Sequence, residues 1–190
     1  DVDAVSVKTR GGLVDLDEKT AKRTKTTGCG QGTVFGDLME DVEGIRLPQG
    51  APLRRSTLYD LLDRVRLQDT IYKQSGAIHG CGLATNAPGR AEILYFVEDV
   101  GRHNAVDAIA GFMWLDGVEG GDKIFYTTGR LTSEMVIKAA QMGIPCLVSR
   151  SGLTQMGYDV ARKVGMTMLG RASNKHYLLF TGVERFLPDE

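Results

Sequence analysis

Apolar positions in the second half of the chain alternate between continuous runs and stripes at helical spacing. Residues 93–97 form an uninterrupted apolar run, which is typical of a strand covered on both faces. The stretch that follows predicts a helix with one apolar side at Val106, Ile109, Ala110 and Met113. Together the run and the stripe predict one strand–helix unit.

The same unit occurs twice more towards the carboxyl terminus. We expect further strands at residues 123–126, 144–149, 166–169 and 177–180, and helices at residues 133–142 and 155–164. Gly143 and Gly165 directly follow the two helices, where glycine commonly ends a helix. Three successive strand–helix units predict an α/β fold with a mainly parallel sheet, right-handed crossovers and helices on the faces of the sheet.

The first half of the chain has a weaker pattern. Short strands are predicted at residues 4–7 and 12–16, a longer strand at residues 77–85, and a short helix at residues 69–74 that ends at Gly76. Another helix begins near Thr57, which together with Asp60 resembles a capping box. Its apolar face is Leu58, Leu61, Leu62 and Val65. We therefore divide the chain into N-terminal strands with a cysteine loop (residues 1–56) and an α/β core (residues 57–190).

The composition excludes several classes of protein. The chain has 190 residues, of which 42% are hydrophobic, and a net charge of −1, so it has no basic field that would attract a nucleic acid polymer. No apolar run is long enough to span a membrane, and no signal peptide is recognisable. Three widely spaced cysteines fit neither a disulfide framework nor a zinc knuckle, and they suit a reducing cytoplasm. The chain begins at Asp1 and not at methionine, which is compatible with a missing N-terminal part.

Cys29 stands among glycines in a segment that has almost nothing to bury. Residues 19–32 contain a single apolar residue other than this cysteine, Ala21, which predicts an exposed and mobile loop. Four basic residues lie on its N-terminal side and favour the nucleophilic thiolate, whereas four acidic residues lie after it and oppose that effect. Two interpretations stay open at this point: a reactive thiol, or a solvated linker that carries a cysteine.

The predicted turns between strands and helices share an unusual composition. Residues 98–104, 127–133 and 149–154 each contain glycine, an arginine and small polar residues, and each leads into a helix. Helix amino ends attract anions, and arginine binds phosphate through two hydrogen bonds. Ordinary helix capping would explain one such turn, but three favour a phosphate-bearing small ligand. The charged groups expected to face its phosphates are Arg102, Arg130 and Arg150.

We predict no metal site. His79 and Cys81 partly match the zinc pattern of nucleobase deaminases, but the glutamate of that pattern is absent, and Cys146 lacks its second cysteine. Cys81 and Cys146 lie in apolar runs and are expected to be unreactive core residues. His103, between Arg102 and Asn104 at a predicted helix start, is the better candidate for a functional histidine.

Several blocks of the sequence resemble those of a known family. Residues 98–107 closely resemble the hallmark block of the FdhD family, and residues 128–136, 143–145, 150–152 and 26–30 fit the same family. The resemblance extends from the cysteine loop to Phe186. It implies a bacterial or archaeal cytoplasmic homodimer with a cytidine-deaminase-like three-layer core, in which a mainly parallel mixed sheet carries helices on its faces.

The resemblance also implies a function. FdhD proteins pass sulfur from a cysteine desulfurase to the molybdenum or tungsten bis-pterin guanine dinucleotide cofactor before it enters formate dehydrogenase. Cys29 matches the sulfur-bearing position of the family, and guanine nucleotides should mimic the cofactor. The family's cofactor-binding block corresponds to Phe180, Thr181, Gly182, Val183, Glu184 and Arg185. The other expected cofactor-binding residues are Arg102, His103, Thr128, Gly129, Arg130 and Arg150.

The sequence departs from the family at the cysteine loop. Many relatives carry Cys-x-x-Cys, whereas here Gly32 occupies the place of the second cysteine. One thiol is sufficient to carry a persulfide, so this chemistry is retained. Two alternatives stay open: a chaperone that binds the cofactor without sulfur chemistry, and a divergent nucleotide-processing hydrolase, against which the missing zinc ligands argue.

Overall fold

The computed structural model of the chain describes Arg10, Val42 and residues 44–48, 50–68 and 71–189. The strands predicted at residues 4–7 and 12–16 and the loop that carries Cys29 lie outside these residues. Most of the predicted N-terminal part also lies outside them, so the division at residue 56 stays a prediction.

Residues 53–187 of the described part of the chain form eight strands and five α-helices. In chain order these are β1 (Leu53–Arg54), α1 (Arg55–Leu67), α2 (Ile71–Ser75), β2 (His79–Thr85), β3 (Ile93–Asp99), α3 (Arg102–Asp116), β4 (Lys123–Thr127), α4 (Ser133–Gln141), β5 (Cys146–Ser149), α5 (Gln155–Val164), β6 (Thr167–Ser173), β7 (His176–Thr181) and β8 (Phe186–Leu187). A 3₁₀ helix (Val183–Arg185) precedes β8, which pairs in parallel with β1. Among these helices, none has the length and apolarity needed to cross a membrane.

Six of the strands form one mixed sheet, in the order β3-β2-β4-β5-β6-β7. Strands β4, β5 and β6 are neighbours and run parallel, as the repeated strand–helix units predict. Strand β2, however, lies antiparallel between β3 and β4, and β7 is antiparallel to β6. Because β2 separates them, β3 and β4 point the same way without pairing. The sheet is therefore mixed, with four strands in one direction and two in the other.

The apolar run in β3 was misleading about burial. We expected a strand covered on both faces, but β3 is the edge strand of the sheet and Leu94 is 37% exposed. Tyr95 and Val97 pack against the core under α3, whereas the opposite face of the strand is only partly covered. The continuous apolar run thus belongs here to an edge strand whose residues are all at least partly exposed.

The sheet separates two apolar cores, which gives three layers. Phe125, Leu147 and Met168 point into the larger core, where they meet side chains of α3, α4 and α5. Their strand neighbours Ile124 and Val148 point into the second core, which α1 covers. This follows from the alternation of side chains along a strand.

Helix ends confirm some predictions and correct one. Helix α5 has the predicted bounds, and Gly143 and Gly165 adopt the left-handed conformation expected after a helix, with φ of 72° and 73°. The capping box at Thr57 was wrong, because α1 already begins at Arg55. The Thr57 hydroxyl donates to the Ala87 carbonyl at 2.9 Å and accepts from the Gly89 amide at 2.9 Å. It therefore fastens α1 to the turn before β3.

Candidate functional site

The carboxyl ends of β4 and β5 lie side by side, and their loops are bonded to each other. The Arg150 amide donates to the Thr127 carbonyl at 3.0 Å, and the Ser149 hydroxyl donates to the Gly129 carbonyl at 2.6 Å. Further on, the Leu131 amide donates to the carbonyl of Gly152. We call this end of the sheet the carboxyl edge. It brings together Thr128, Gly129, Arg130 and Arg150, as predicted for the turns after neighbouring parallel strands.

Strand β2 adds residues to this edge that its sequence did not indicate. Because β2 is antiparallel to β4, its first residues lie beside the last residues of β4. The Thr128 hydroxyl accepts from the Gly80 amide at 3.0 Å, and the Thr128 amide donates to the Gly80 carbonyl at 2.9 Å. His79 therefore also stands at the carboxyl edge.

Arg102, the first residue of α3, is buried against the loop after β4. Only 4% of Arg102 is exposed. A Cβ atom on Gly129 would lie 2.7 Å from Arg102 Cδ and 3.4 Å from His79 Nδ1, so the absence of a side chain at Gly129 permits this close approach. The lowered pKa of His79 has two causes, of which burial is the larger and the positive charge of Arg102 the smaller. This histidine is therefore kept neutral at pH 7.

His103 joins the amino ends of α3 and α4. Its Nε2 atom lies 3.3 Å from Glu134 Oε2, in the first turn of α4. Burial lowers the pKa of His103, and the charges of Arg102 and Lys138 act in the same direction, against the opposing effect of Glu134. Lys138 is itself held by Asp107, 2.7 Å away. The first turns of the two helices therefore meet at a neutral imidazole.

On the face of the sheet that α1 covers, the carboxyl edge opens into a pocket of about 200 Å³, which we call the α1-side pocket. Thr128 and Arg150 line it, and Phe96 and Tyr126 supply aromatic surface. Basic side chains from α1 and α2 complete its wall, at Arg66 and Lys73. An aromatic surface beside basic groups suits a planar base attached to phosphates.

The block of residues 180–185 lies mainly at the opposite end of the sheet, the amino edge. The Thr181 hydroxyl donates to the Met166 carbonyl at 2.7 Å, just before β6 begins. Gly182 has a left-handed backbone, with φ of 73°, and lies directly against Thr167. The strand partner of Thr167 is Cys146, the first residue of β5. A pocket of about 430 Å³ is lined here by Phe180, Thr181, Gly182, Val183 and Glu184, with Tyr158 and Arg162 of α5.

The predicted cofactor-binding residues therefore fall into two groups. Arg102, His103, Thr128, Gly129, Arg130 and Arg150 lie at the carboxyl edge, and Thr181, Gly182, Val183, Glu184 and Arg185 lie at the amino edge. Phe180 lies between them, because its ring would contact a Cβ atom on Gly170 in the middle of β6. The four residues of β5 between the two edges correspond to about 10 Å of strand.

The two cysteines of the core are buried, as expected. Burial raises the pKa of the Cys81 thiol to about 11 and that of the Cys146 thiol to about 12. Cys81 points into the core under α3, α4 and α5, whereas Cys146 points into the core under α1, so the two thiols lie on opposite faces of the sheet. Within the described residues, no three His, Cys, Asp or Glu side chains are grouped so as to hold a metal ion. Cys29 lies outside these residues, and its role stays a prediction.

The sequence did not indicate several residues of the site. Phe96 and Tyr126 read as ordinary strand residues, and Arg66 and Lys73 as solvated helix residues. No local pattern marks these residues, because the packing of separate strands and helices against each other brings them to the carboxyl edge.

Comparisons with known proteins agree with the resemblance. A sequence model described as the FdhD/NarQ family matches residues 1–187. The chain is 29% identical over 166 residues to the sulfur carrier protein FdhD of Listeria innocua. The matched region covers 86% of this chain and 62% of that protein. It is 32% identical over 134 residues to the sulfur carrier protein FdhD of Saccharolobus solfataricus, covering 70% and 51% of the two chains.

A solved structure is similar as well. It is a Desulfotalea psychrophila protein assigned as a formate dehydrogenase accessory protein, with a TM-score of 0.67 and 33% sequence identity. The match covers 76% of this chain and 62% of that one. The chain thus spans less than two thirds of the length of these three relatives.

Proposed function

Because this chain belongs to the FdhD/NarQ family, we propose that it is a sulfur carrier for the maturation of formate dehydrogenase. The observation that carries the proposal is the family match over residues 1–187, which includes both the Cys29 loop and the carboxyl edge. The names of the relatives support it, since those from Listeria innocua and Saccharolobus solfataricus are sulfur carrier proteins.

The proposed chemistry is a thiol–persulfide exchange at Cys29. The Cys29 thiolate attacks the outer sulfur of a cysteine desulfurase persulfide, a new S–S bond forms at Cys29, and the desulfurase cysteine leaves as a thiolate. The number of S–S bonds is unchanged, so the step needs no further oxidant or reductant. The buried thiols of Cys81 and Cys146 are poor competitors, because a thiol with a pKa of about 11 or 12 supplies little thiolate at pH 7. This chemistry requires reduced thiols, so the proposal places the protein in the cytoplasm.

The proposed acceptor is the molybdenum or tungsten bis-pterin guanine dinucleotide cofactor, bound as a substrate by its guanine nucleotide ends. The α1-side pocket supports this proposal, because it offers Phe96 and Tyr126 to a base and Arg150 to its phosphates. Residues 180–185 are the second proposed contact. The two groups lie at opposite edges of the sheet, so we propose a homodimer in which edges of two chains close on one cofactor.

The three layers support a further part of the proposal, that the core is of the cytidine-deaminase-like type. One helix covers one face of the mixed sheet and three cover the other. The zinc of deaminases is not part of this proposal, since Cys81 and Cys146 lie on opposite faces of the sheet.

Mass spectrometry after incubation with a cysteine desulfurase and cysteine tests the proposal. We expect the mass of one additional sulfur atom, removable by a reductant and located on Cys29. The Cys29→Ala variant should gain no sulfur and should not support formate dehydrogenase activation, while still binding GDP. Cys81→Ala and Cys146→Ala are matched controls that should accept sulfur, although each loses some stability because its thiol is buried.

The same experiment separates the carrier from a cofactor chaperone. Among the described residues that line the α1-side pocket there is no cysteine, so a protein that only binds and shelters the cofactor could use it unchanged. If Cys29→Ala supports full formate dehydrogenase activity in cells, the carrier mechanism is wrong and the chaperone takes its place.

A further inference from the structure

Unpartnered polar atoms concentrate at the adjoining amino ends of α3 and α4. Among the described residues, buried side-chain nitrogen or oxygen atoms without a hydrogen bond occur in Arg102, His103, Thr132 and Arg185. Three of these four residues stand at the starts of the two helices, which the His103–Glu134 contact of 3.3 Å holds together. Such a concentration is unusual, since buried polar groups in proteins are nearly always hydrogen-bonded.

The unpartnered atoms of Arg102 define the shape of the missing partner. Nε and Nη2 both lack a hydrogen bond, although Arg102 is only 4% exposed. These two nitrogen atoms form one edge of the guanidinium group, and that edge binds two oxygen atoms of a phosphate or carboxylate side by side. A buried guanidinium without a counter-charge is strongly unfavourable. The unbonded edge of the Arg102 guanidinium therefore has the shape and charge to bind an oxoanion.

Both helix amino ends favour a negative charge at this place. Helix α3 has 15 residues, its N-cap Gly101 offers no side chain, and its first turn contains no acidic residue. Helix α4 has nine residues, and the hydroxyl of its N-cap Thr132 makes no capping bond. Unpaired amides in the first turn and the helix dipole together stabilise an anion.

The nearby carboxylates are already engaged. Asp99 accepts from the Gly101 amide at 2.7 Å and from the Asn104 side chain at 2.9 Å. Glu134 faces His103 Nε2 and lies 3.9 Å from Lys138. Neither of them fills the edge of the Arg102 guanidinium, whose Nε and Nη2 atoms make no hydrogen bond.

We infer that Arg102, His103 and Thr132 form an oxoanion site that takes one phosphate-type group. Two oxygen atoms would meet Nε and Nη2 of Arg102, and the Thr132 hydroxyl would donate to a third. Nδ1 of the neutral His103, whose Nε2–H faces Glu134, would accept a hydrogen bond from a protonated phosphate oxygen. The site differs from the α1-side pocket and from residues 180–185. The inference rests on the proposed function only for the source of the ligand, which is a phosphate of a nucleotide or free phosphate.

Thermal unfolding and calorimetry of the full chain test the site, with inorganic phosphate, GMP, GDP and guanosine as probes and chloride at equal ionic strength as a control. We expect phosphate, GMP and GDP to bind and guanosine to bind far more weakly. Arg102→Gln should weaken phosphate and GDP binding roughly ten- to a hundred-fold, since it removes a charge-assisted contact. Arg90→Gln, on an exposed turn, is the matched control and should bind as the unchanged chain does.

A second variant keeps the test valid if Arg102→Gln fails to fold. Thr132→Val removes one hydroxyl at a helix start and should weaken phosphate binding while keeping the fold. Binding of GDP but not of free phosphate, lost in both variants, would assign the site to a nucleotide phosphate. Unchanged affinity for phosphate and GDP in a folded Arg102→Gln or Thr132→Val protein would overturn the inference.

The outcome is separable from that of the proposed function. Persulfide formation on Cys29 needs the loop thiol and the desulfurase, so Arg102→Gln should still gain one sulfur atom. If the variants disprove the oxoanion site, this increase in mass is still expected. If no persulfide forms on Cys29 and the carrier mechanism is disproved, phosphate binding at Arg102 is still expected.

Discussion

Gly182 packs directly on the backbone of Thr167, at the point where residues 180–185 meet the amino edge of the sheet. A Cβ atom on Gly182 would lie 2.6 Å from Thr167 Cα and closer still to its Oγ1 atom, and Gly182 has φ of 73°. Gly182→Ala should therefore destabilise the fold by more than the roughly 1–2 kcal/mol of a left-handed backbone alone. Urea unfolding measures this change in the free energy of unfolding.

Gly152→Ala is the control for that substitution. No atom lies within 4 Å of a Cβ at Gly152, and its backbone is not left-handed. Its free energy of unfolding should change by no more than about 0.5 kcal/mol. Equal losses in the two variants would show that the contact with Thr167 is unimportant.

Thr57→Val tests the role that the structure gives to this hydroxyl. The substitution keeps the shape but removes the acceptor of the Gly89 amide and one of the two donors to the Ala87 carbonyl, which also accepts from the Arg90 amide. We expect a loss of roughly 1–3 kcal/mol in the free energy of unfolding, measured with urea. Thr57→Ser keeps the hydroxyl and should retain more stability than Thr57→Val. The opposite order would rule out the two hydrogen bonds as the cause.

The three cysteines should differ sharply in reactivity. Burial raises the pKa of Cys81 to about 11 and that of Cys146 to about 12. At pH 8 an alkylating reagent should therefore label Cys29 alone in the folded protein, and all three cysteines after unfolding. Peptide mass mapping after a short exposure distinguishes these states. Rapid labelling of Cys81 or Cys146 in the folded chain would contradict the buried environment of these thiols.

Stability should fall as the pH is lowered below the ordinary histidine range. The pKa values of His79 and His103 are lowered in the folded chain, mainly by burial, so below about pH 6.5 the unfolded chain binds more protons than the folded one. The free energy of unfolding should thus be unaffected by these groups at pH 7.5 and decrease towards pH 5.5. Urea unfolding across this range measures the slope.

Two substitutions assign that slope to the carboxyl edge. His79→Gln and His103→Gln should each reduce the loss of stability between pH 7.5 and 5.5, because each removes a group that resists protonation in the folded chain. His176→Gln, at the exposed start of β7, is the control. A slope that stays the same in both edge variants would refute the assignment.

Nucleotide binding at the carboxyl edge should depend on its arginines. Arg150→Ala removes a wall of the α1-side pocket and should weaken GDP binding roughly ten- to a hundred-fold by calorimetry, the value of one charge-assisted contact. Arg130→Ala tests the exposed arginine of the neighbouring loop in the same way. If neither variant loses affinity, the nucleotide binds elsewhere.

The sequence alone determined the features that depend on neighbours a few residues away. The bounds of α5 and the glycines after α4 and α5 could be predicted, because apolar spacing and left-handed helix ends are local properties. The burial of Cys81 and Cys146 could also be predicted, from the apolar runs around them. The composition of the turns after β4 and β5 likewise indicated that their arginines share one edge.

The tertiary structure decided which strands are neighbours, and with that the make-up of the site. Strand β2 inserts antiparallel between β3 and β4, so it brings His79 to the carboxyl edge and leaves β3 half-covered. The same packing buries Arg102 over Gly129 and places residues 181–185 at the other end of the sheet. No local pattern contains this information, because strand order follows from which faces can be buried together across the whole chain.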